Sequence, residues 1–128
     1  MNFIVKESGF DKKKVMLDGT RFFVGNGYMG VRGTLEEFGK EELCGCTLAG
    51  VYDQVGEGWR ELVNAPNGLY TRLFVDGAEM NALEVEPLGH EMELDLRRAV
   101  LTRETEYDKV KVKTERFASA DNLHLLML

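Results

Sequence analysis

Long apolar runs are missing from this 128-residue sequence, and none approaches roughly 20 residues, the length that a membrane-spanning helix requires. The N-terminus carries a lysine at position 6 and has no apolar segment of the kind found in secretory signals. Cysteine is scarce as well: with only Cys44 and Cys46, a disulfide framework is not expected. These absences predict a cytoplasmic protein that does not insert into a membrane and keeps its thiols reduced.

Clustered positive charge is also absent, because 16 Lys and Arg face 22 Asp and Glu and the only basic run is "KKK" at 12–14. Nucleic-acid binding depends on basic side chains that contact phosphates, so we expect no nucleic-acid partner. Four potential zinc ligands exist, namely Cys44, Cys46, His90 and His124. Their Cys-x-Cys spacing and scattered histidines do not match the usual patterns, so we expect no metal site.

Helical periodicity is weak, whereas a period of two recurs along the chain. Apolar and charged residues alternate in "EMELDL" (91–96), "ALEVEP" (82–87) and "VKVKTER" (110–116). In the first of these segments, Met92, Leu94 and Leu96 share one face. Such alternation predicts strands with one buried and one solvated face.

Turn signals separate several of the apolar segments. "DG" at 18–19 and "DG" at 76–77 predict tight hairpins, and "EYDK" at 106–109 predicts a third. The best helical candidate, "TLEEFGKEEL" (34–43), is interrupted by Gly39. The chain therefore predicts an all-β fold, an antiparallel β-sandwich with few or no helices.

The stretch "GNGYMG" (25–30) matches the G-x-G-x-x-G dinucleotide fingerprint, and Asp53 follows at a suitable distance. That fingerprint needs a helix directly after the third glycine to receive the pyrophosphate. Here Gly33, Gly39 and Gly45 interrupt the segment where the helix would lie. We therefore reject a dinucleotide site.

Five segments in order resemble the N-terminal region of glycoside hydrolase family 65, which includes disaccharide phosphorylases for maltose, trehalose and kojibiose. They are "FFVGNGYMGVRGTLEEFG" (22–39), "CTLAGVYD" (46–53), "ELVNAPN" (61–67), "LDLRRAVLTR" (94–103) and "ERFASADNLHL" (115–125). One departure is Gly68, where the family commonly carries a tryptophan after "PN".

The resemblance implies that residues 1–128 form the first part of the family's large N-terminal β-sandwich, and the apolar segment 121–128 is expected to continue into a longer chain. The catalytic (α/α)6 barrel would lie outside this sequence, and so would the glutamate that acts as general acid. The parent enzyme would cleave an α-glucosidic disaccharide with inversion, using inorganic phosphate as co-substrate and no other cofactor. Its partners would be its own catalytic domain and a second copy in a homodimer. A family member that acts as a hydrolase is the alternative.

The glycine-rich motif is the first group of candidate site residues, as a structural element or as a contact with the catalytic domain. It comprises Gly25, Asn26, Gly27, Tyr28, Gly30, Arg32 and Gly33. The glycines would permit positive φ or close backbone approach, and Asn26 tolerates left-handed geometry. Tyr28 and Arg32 would either lie at an interdomain contact or be a core tyrosine and a surface arginine of a local turn.

Acidic and aromatic residues complete the candidates. The pairs Glu36–Glu37 and Glu41–Glu42 are interpreted as a solvated acidic loop, so that no catalytic residue is expected in this chain. Trp59 is either a packing residue or a sugar-stacking platform. In a free-standing carbohydrate-binding module, which is the second functional hypothesis, it would form that platform with Tyr52 and Tyr70.

Overall fold

The computed structural model describes residues 3–40 and 42–128, and over this part of the chain the fold is antiparallel β-structure with a single short helix, α1 (Val15–Arg21). The prediction of an all-β fold with few helices is confirmed. No helix within the described ranges has the length and apolar character needed to cross a membrane.

The largest element is a five-stranded antiparallel sheet. Its strands, in spatial order, are β1 (Ile4–Ser8), β9 (Gly89–Asp95), β10 (Val100–Glu106), β11 (Lys111–Ala118) and β12 (Leu126–Met127). Strands β9 to β11 form a meander, and β1 joins it from the far end of the sequence. The sheet therefore contains strands from both ends of the described chain, and these strands, β1 and β12, form its two opposite edges.

Three smaller antiparallel sheets connect β1 to β9. They consist of β2 (Val24–Gly25), β3 (Met29–Val31) and β4 (Cys46–Leu48); of β5 (Tyr52–Gln54) and β6 (Arg60–Leu62); and of β7 (Phe74–Val75) and β8 (Ala78–Glu79). The β2–β3 hairpin contains the glycine-rich motif, and among the residues that the structure describes no helix follows it, whereas a dinucleotide fingerprint needs one directly after its third glycine.

The five-stranded sheet has two different faces because side chains alternate along each strand. Its inner face carries buried apolar residues such as Met92, Leu94 and Leu101, which pack in the core with Phe22 and Phe38. Its outer face carries charged residues that form ion pairs in solvent. Helix α1 and the loop after β3 supply the other side of this core.

The predicted hairpin at 18–19 is wrong, because Asp18 and Gly19 lie inside helix α1. The signal that favours a helix is the spacing of Val15, Gly19 and Phe22, which are all buried and lie at i, i+4 and i+7 on one helical face. Gly19 permits close packing there, since a Cβ atom would lie 2.9 Å from Cγ2 of Thr34. The glycine is thus required by packing and not by a turn.

The predicted strand at 82–87 is also wrong, because the residues after Asn81 form a turn that is hydrogen-bonded to Asn81. Its side-chain oxygen accepts the N–H of Leu83 at 3.0 Å, and its carbonyl accepts the N–H of Val85 at 2.8 Å. Leu96 does not continue the buried face of β9 either, since the strand ends at Asp95 and Leu96 is exposed. Alternation alone does not reveal these local endings.

The two other predicted hairpins are confirmed. Asp76 and Gly77 connect β7 to β8 with φ values of 51° and 81°, as a tight primed turn requires. The turn around 107–110 connects β10 to β11, with the Tyr107 N–H donating to the Val110 carbonyl at 2.8 Å.

Candidate functional site

The glycine-rich motif forms a hairpin turn that Asn26 organises. The side-chain oxygen of Asn26 accepts the N–H of Tyr28 at 3.1 Å and the N–H of Met29 at 2.9 Å. Gly27 has φ +87°, which only glycine adopts without strain. Gly25 pairs with Gly30 across the hairpin. The motif is therefore a tight β-turn held by an asparagine side chain.

The same turn is attached to the segment that follows β11. The Nδ2 of Asn26 donates to the carbonyls of Ser119, at 2.7 Å, and Leu123, at 3.1 Å. The Tyr28 ring meets the His124 ring edge-on, with centroids 4.4 Å apart. Two residues of the motif thus fix a segment more than 90 positions later in the chain.

Close backbone approach explains two further glycines. A Cβ atom at Gly30 would lie 2.2 Å from the Phe23 ring, and one at Gly33 would lie 2.4 Å from the Phe22 carbonyl oxygen. Arg32 points back to helix α1, where its Nη2 donates to the Met16 carbonyl and to the Thr20 hydroxyl. In the described structure Arg32 therefore acts as a local anchor for the helix.

The loop after β3 contains the largest correction to the sequence-based expectations. Glu36 and Glu37 are not in a solvated loop, because both residues are only 5% exposed. They lie beneath the inner face of the five-stranded sheet, where two arginines from β10 and β11 meet them. Of the second acidic pair, Glu42 is exposed and Glu41 lies outside the described residues.

Arg103 is the centre of this buried ionic cluster. Its Nη1 donates to Glu36 Oε2 at 2.8 Å and to Glu37 Oε2 at 2.6 Å. Its Nη2 donates to Glu37 Oε1 at 2.7 Å, so the contact with Glu37 is bidentate. The Arg103 side chain is 4% exposed, and the two carboxylates supply the charge that compensates its burial.

Arg116 completes the charge balance from the neighbouring strand. Its Nη2 donates to Glu36 Oε1 at 2.6 Å and to the Thr34 carbonyl at 2.8 Å, while its Nη1 donates to the Arg32 carbonyl at 2.8 Å. Two arginines thus face two glutamates, and the guanidinium of Arg116 also satisfies two carbonyls of the buried loop. The loop can be buried because the sheet provides its hydrogen-bond partners.

The cluster shifts the ionisation of groups around it. Burial alone would raise the pKa of Glu36, but the charges of Arg116 and Arg103 outweigh it and hold the pKa below its usual 4.5. Burial and the charge of Glu37 raise the pKa of Tyr107 to about 12. The carboxyl of Glu36 is therefore ionised and paired at neutral pH.

His90 borders the cluster through Thr105. The Nε of Arg103 donates to the Thr105 hydroxyl at 2.7 Å, and that oxygen lies 2.8 Å from His90 Nδ1. Burial, and secondarily the charge of Arg103, lowers the pKa of His90 to about 4. A neutral His90 can accept the threonine proton at Nδ1, which fits this lowered pKa.

Arg103 and Arg116 are not among the candidate residues of the sequence analysis, although the sequence contains a signal for them. Arg103 has the same strand parity as Leu101 and Thr105, and Arg116 has the same parity as Thr114. An arginine in the buried register of an alternating strand indicates a buried partner of opposite charge. The sequence separation from the partner glutamates, 66 to 80 positions, hides the pairing itself.

Trp59 lies at the end of the β5–β6 hairpin and is 91% exposed. It shares one hairpin face with Asp53, Val55 and Glu61, which line a shallow depression beside it. Tyr52 pairs with Leu62 in the register of the opposite face. The structure therefore places Trp59 in solvent without joining it to Tyr52 in one platform.

Three of the four potential zinc ligands are held in separate surroundings. Cys44 is buried with its thiol 2.7 Å from the Phe38 carbonyl, His90 contacts Thr105, and His124 packs on Tyr28. Within the described ranges, no three His, Cys, Asp or Glu side chains are gathered as a metal ion would require.

A family model for the glycosyl hydrolase family 65 N-terminal domain matches residues 5–128. The chain therefore belongs to glycosyl hydrolase family 65, as its N-terminal domain. A solved human-microbiome chain, provisionally named as a kojibiose phosphorylase, shares the fold with a TM-score of 0.80 at 20% identity, covering 94% of this chain and 18% of that one.

Individual relatives are phosphorylases of several glucosides. The chain is 49% identical to nigerose phosphorylase of Lachnoclostridium phytofermentans, an alignment that covers all of this chain and 18% of the relative. It is 32% identical to 1,2-alpha-glucosylglycerol phosphorylase of Bacillus selenitireducens, covering 93% of this chain and 16% of the relative. It is 36% identical to kojibiose phosphorylase of Thermoanaerobacter brockii, and this alignment covers 82% of this chain and 14% of the relative. The chain thus spans less than a fifth of the length of these relatives.

Proposed function

We propose that this chain is the non-catalytic N-terminal segment of an inverting disaccharide phosphorylase. The parent enzyme would be cytoplasmic and would cleave an α-glucosidic disaccharide with inorganic phosphate, giving β-glucose 1-phosphate and glucose. The family assignment and the names of the phosphorylase relatives support this proposal. So does the small share of each relative that the chain covers, because most of the catalytic machinery would lie elsewhere in the protein.

The observation that carries the non-catalytic role is the pairing of Glu36 and Glu37 with Arg103 and Arg116. A general acid for glycoside cleavage needs a raised pKa and access to the glycosidic oxygen. Glu36 has a lowered pKa, and both glutamates are buried in contact with guanidinium groups. Their chemistry is that of structural counter-ions and does not suit proton donation to a sugar.

Asp18 has a raised pKa, caused first by burial, yet it does not suit the role either. It lines a cavity of about 20 Å³ between helix α1 and the inner sheet face. Such a volume accommodates about one water molecule and no pyranose ring. We therefore assign the general acid and the phosphate-binding groups to the helical barrel expected in the remainder of the parent enzyme.

The full-length protein provides the test. Purified enzyme is incubated with nigerose, kojibiose, maltose or trehalose, with and without inorganic phosphate, and products are followed by anomer-resolved NMR. The proposal predicts β-glucose 1-phosphate from at least one disaccharide and almost no cleavage without phosphate. Equal release of free glucose in both conditions would establish the alternative, a family member that acts as a hydrolase.

Carbohydrate binding by the domain is a second candidate function, favoured by Trp59. An exposed indole beside the carboxylates of Asp53 and Glu61 has the chemistry that stacks on and hydrogen-bonds a pyranose. Titration of the protein with maltose, trehalose and kojibiose, monitored by calorimetry, tests this function. Trp59→Ala would abolish such binding, whereas Tyr52→Ala on the opposite hairpin face would leave it unchanged.

A further inference from the structure

The sequence contains two Asn-Gly dipeptides, Asn26–Gly27 and Asn67–Gly68. An asparagine that precedes glycine is chemically labile in water. Because glycine has no Cβ atom, its backbone nitrogen can approach the carbonyl carbon, Cγ, of the asparagine side chain. The first dipeptide belongs to the glycine-rich motif, and the second arises where Gly68 stands in place of the tryptophan that the family resemblance predicts. The two dipeptides have the same local chemistry, so a difference between them must come from the fold.

The side-chain amide of Asn26 is held at both of its polar atoms. Its oxygen accepts the N–H groups of Tyr28 and Met29. Its nitrogen donates to the carbonyls of Ser119 and Leu123. Loss of this nitrogen as ammonia would require both bonds to the carbonyls to break, and a movement of Cγ towards the next backbone nitrogen would disturb the bonds to the oxygen. The fold therefore opposes a reaction at Asn26.

The side-chain amide of Asn67 is held much less firmly. Its oxygen accepts the N–H of Leu69 at 3.1 Å. Among the described residues, the only acceptor of its nitrogen is the sulfur of Cys44, at 3.4 Å. Sulfur is a weak hydrogen-bond acceptor, so little opposes the departure of this nitrogen.

The attacking nitrogen is available at the second dipeptide. Gly68 is exposed, its φ lies outside the left-handed region, and a Cβ atom there would meet no atom within 4 Å. In the described part of the chain, no acceptor binds the N–H of Gly68, and the same is true of the N–H of Gly27. The two dipeptides thus differ in how the side-chain amide is held and not in the nucleophile.

We propose that Asn67–Gly68 is a site of spontaneous deamidation in the folded protein, whereas Asn26–Gly27 is protected. The Gly68 nitrogen loses its proton to hydroxide and forms a bond to Cγ of Asn67. The bond from Cγ to Nδ2 breaks, and Nδ2 takes a proton from water and leaves as ammonia, which gives a cyclic succinimide. Water then opens the ring at either carbonyl and produces aspartate or isoaspartate at position 67. One water molecule is consumed and one ammonia released, without an oxidant or reductant.

The location of the site makes the product structurally significant. The N–H of Tyr70 donates to the carbonyl of Asn67 at 3.3 Å and closes a turn. Within this turn, Leu69 belongs to the core, and directly after it the N–H of Thr71 donates to the carbonyl of Glu36 at 2.9 Å. An isoaspartyl linkage adds one methylene group to the main chain of the turn. We therefore expect the isoaspartate product to have a lower unfolding midpoint than the unmodified protein.

Ageing of the full-length protein tests the proposal. The folded protein is incubated in mildly alkaline buffer made with water enriched in the heavy oxygen isotope, so that each new carboxyl group carries the label. Peptide mapping by mass spectrometry follows Asn26 and Asn67 separately. We expect Asn67 to react at least about tenfold faster, because two hydrogen bonds to carbonyls must break before the Asn26 amide can leave. In protein unfolded by urea, this difference should disappear.

Gly68→Ala is the matched control. The open space at Gly68 accommodates the added methyl group without a clash, so the variant should keep its unfolding midpoint. The methyl group hinders the approach of the backbone nitrogen to Cγ, and deamidation of Asn67 should therefore slow by about tenfold or more. An unchanged rate in this variant would exclude the succinimide route.

Two further results would overturn the proposal. Equal rates at the two asparagines of the folded protein, or faster loss at Asn26, would show that the hydrogen bonds do not decide the reaction. An Asn67 that reacts only after unfolding would show that the turn is protected in the folded protein. Phosphorolysis plays no part in these measurements, so a failure of the proposed function would leave their interpretation unchanged.

Discussion

The two faces of the five-stranded sheet use the same kinds of charged residue for opposite purposes. Arg103 and Glu104 are neighbours on β10 and point to opposite faces. Arg103 is 4% exposed and contacts both buried glutamates. Glu104 is 36% exposed and pairs with Lys111 at 2.7 Å in solvent. The Arg103–Glu37 pair connects distant parts of the chain, whereas the Lys111–Glu104 pair joins neighbouring strands at the solvent-exposed surface.

The difference teaches how the buried loop is held. An exposed ion pair contributes about 0–1 kcal/mol, because water already solvates both charges. A buried pair need not stabilise the fold relative to apolar residues, but removing one partner costs about 3–5 kcal/mol since the other charge stays buried. The inner cluster therefore fixes the position of Glu36 and Glu37 under the sheet, while the outer pairs are replaceable.

The strongest way to break this comparison is Arg103→Met. It would leave Glu37 buried without its bidentate partner, so we expect a loss of about 3–5 kcal/mol in the free energy of unfolding. Urea denaturation followed by circular dichroism measures it. A loss below about 1 kcal/mol would mean that the cluster behaves like the surface pairs.

Glu37→Gln is expected to have a smaller effect. Glutamine keeps the shape and one acceptor but removes the charge that faces Arg103, and a hydrogen bond to a charged group contributes about 1.5–3 kcal/mol. We predict a loss in that range by urea denaturation. In the double variant with Arg103→Met, the two losses should not add, because both changes disrupt the same pair. Simple additivity would show that the two side chains are not coupled.

The inner face should also respond to pH through His90. Its folded-state pKa is lowered from 6.5 to about 4, so the unfolded chain binds more protons between these values. Stability is fully present above pH 6.5 and is lost as the pH falls towards 4. His90→Gln should reduce this dependence in unfolding measurements at a series of pH values. An unchanged slope between pH 6.5 and 4 would assign the dependence to other groups.

Glu36 contributes in a lower pH window. Its pKa is held below 4.5 by Arg116 and Arg103, so its stabilising effect is present above that value and is lost on further acidification. The two windows can be separated because His90→Gln removes only the upper one.

The outer face provides the smallest expected effect. Glu104→Gln should change the free energy of unfolding by less than about 0.5 kcal/mol, and added salt should reduce the difference further. The same urea titrations, with and without about 0.5 M salt, which shortens the Debye length to roughly 4 Å, measure it. A loss comparable to that of Glu37→Gln would erase the distinction between the faces.

The sequence predicted the outer face well and the inner cluster poorly. Alternation in 91–96 and 110–116 identified β9 and β11, apart from Leu96 beyond the end of β9, and the Asp76–Gly77 turn followed from glycine chemistry. These signals are local. The burial of Glu36 depends on Arg116, 80 positions later, and local polarity therefore favoured a solvated loop.

The prediction of a hairpin at 18–19, where helix α1 lies, was wrong for a related reason. Asp18 and Gly19 are turn residues in most contexts, but the helix is selected by burial of Val15 and Phe22 and by the close packing of Gly19 on Thr34. Tertiary contacts override local propensity at such positions. The family motifs, by contrast, were sufficient to predict the family that the comparison established.

The most direct test of the central claim, that the buried glutamates are structural, is the kcat of full-length Glu37→Gln enzyme. Phosphorolysis is measured at a temperature where circular dichroism shows the variant to be folded. We predict a kcat within about threefold of the parent enzyme, together with the loss of stability given above. Loss of a general acid lowers the rate by about 10²–10⁴-fold. A decrease of that size in a folded variant would contradict the account and place a catalytic group in this domain.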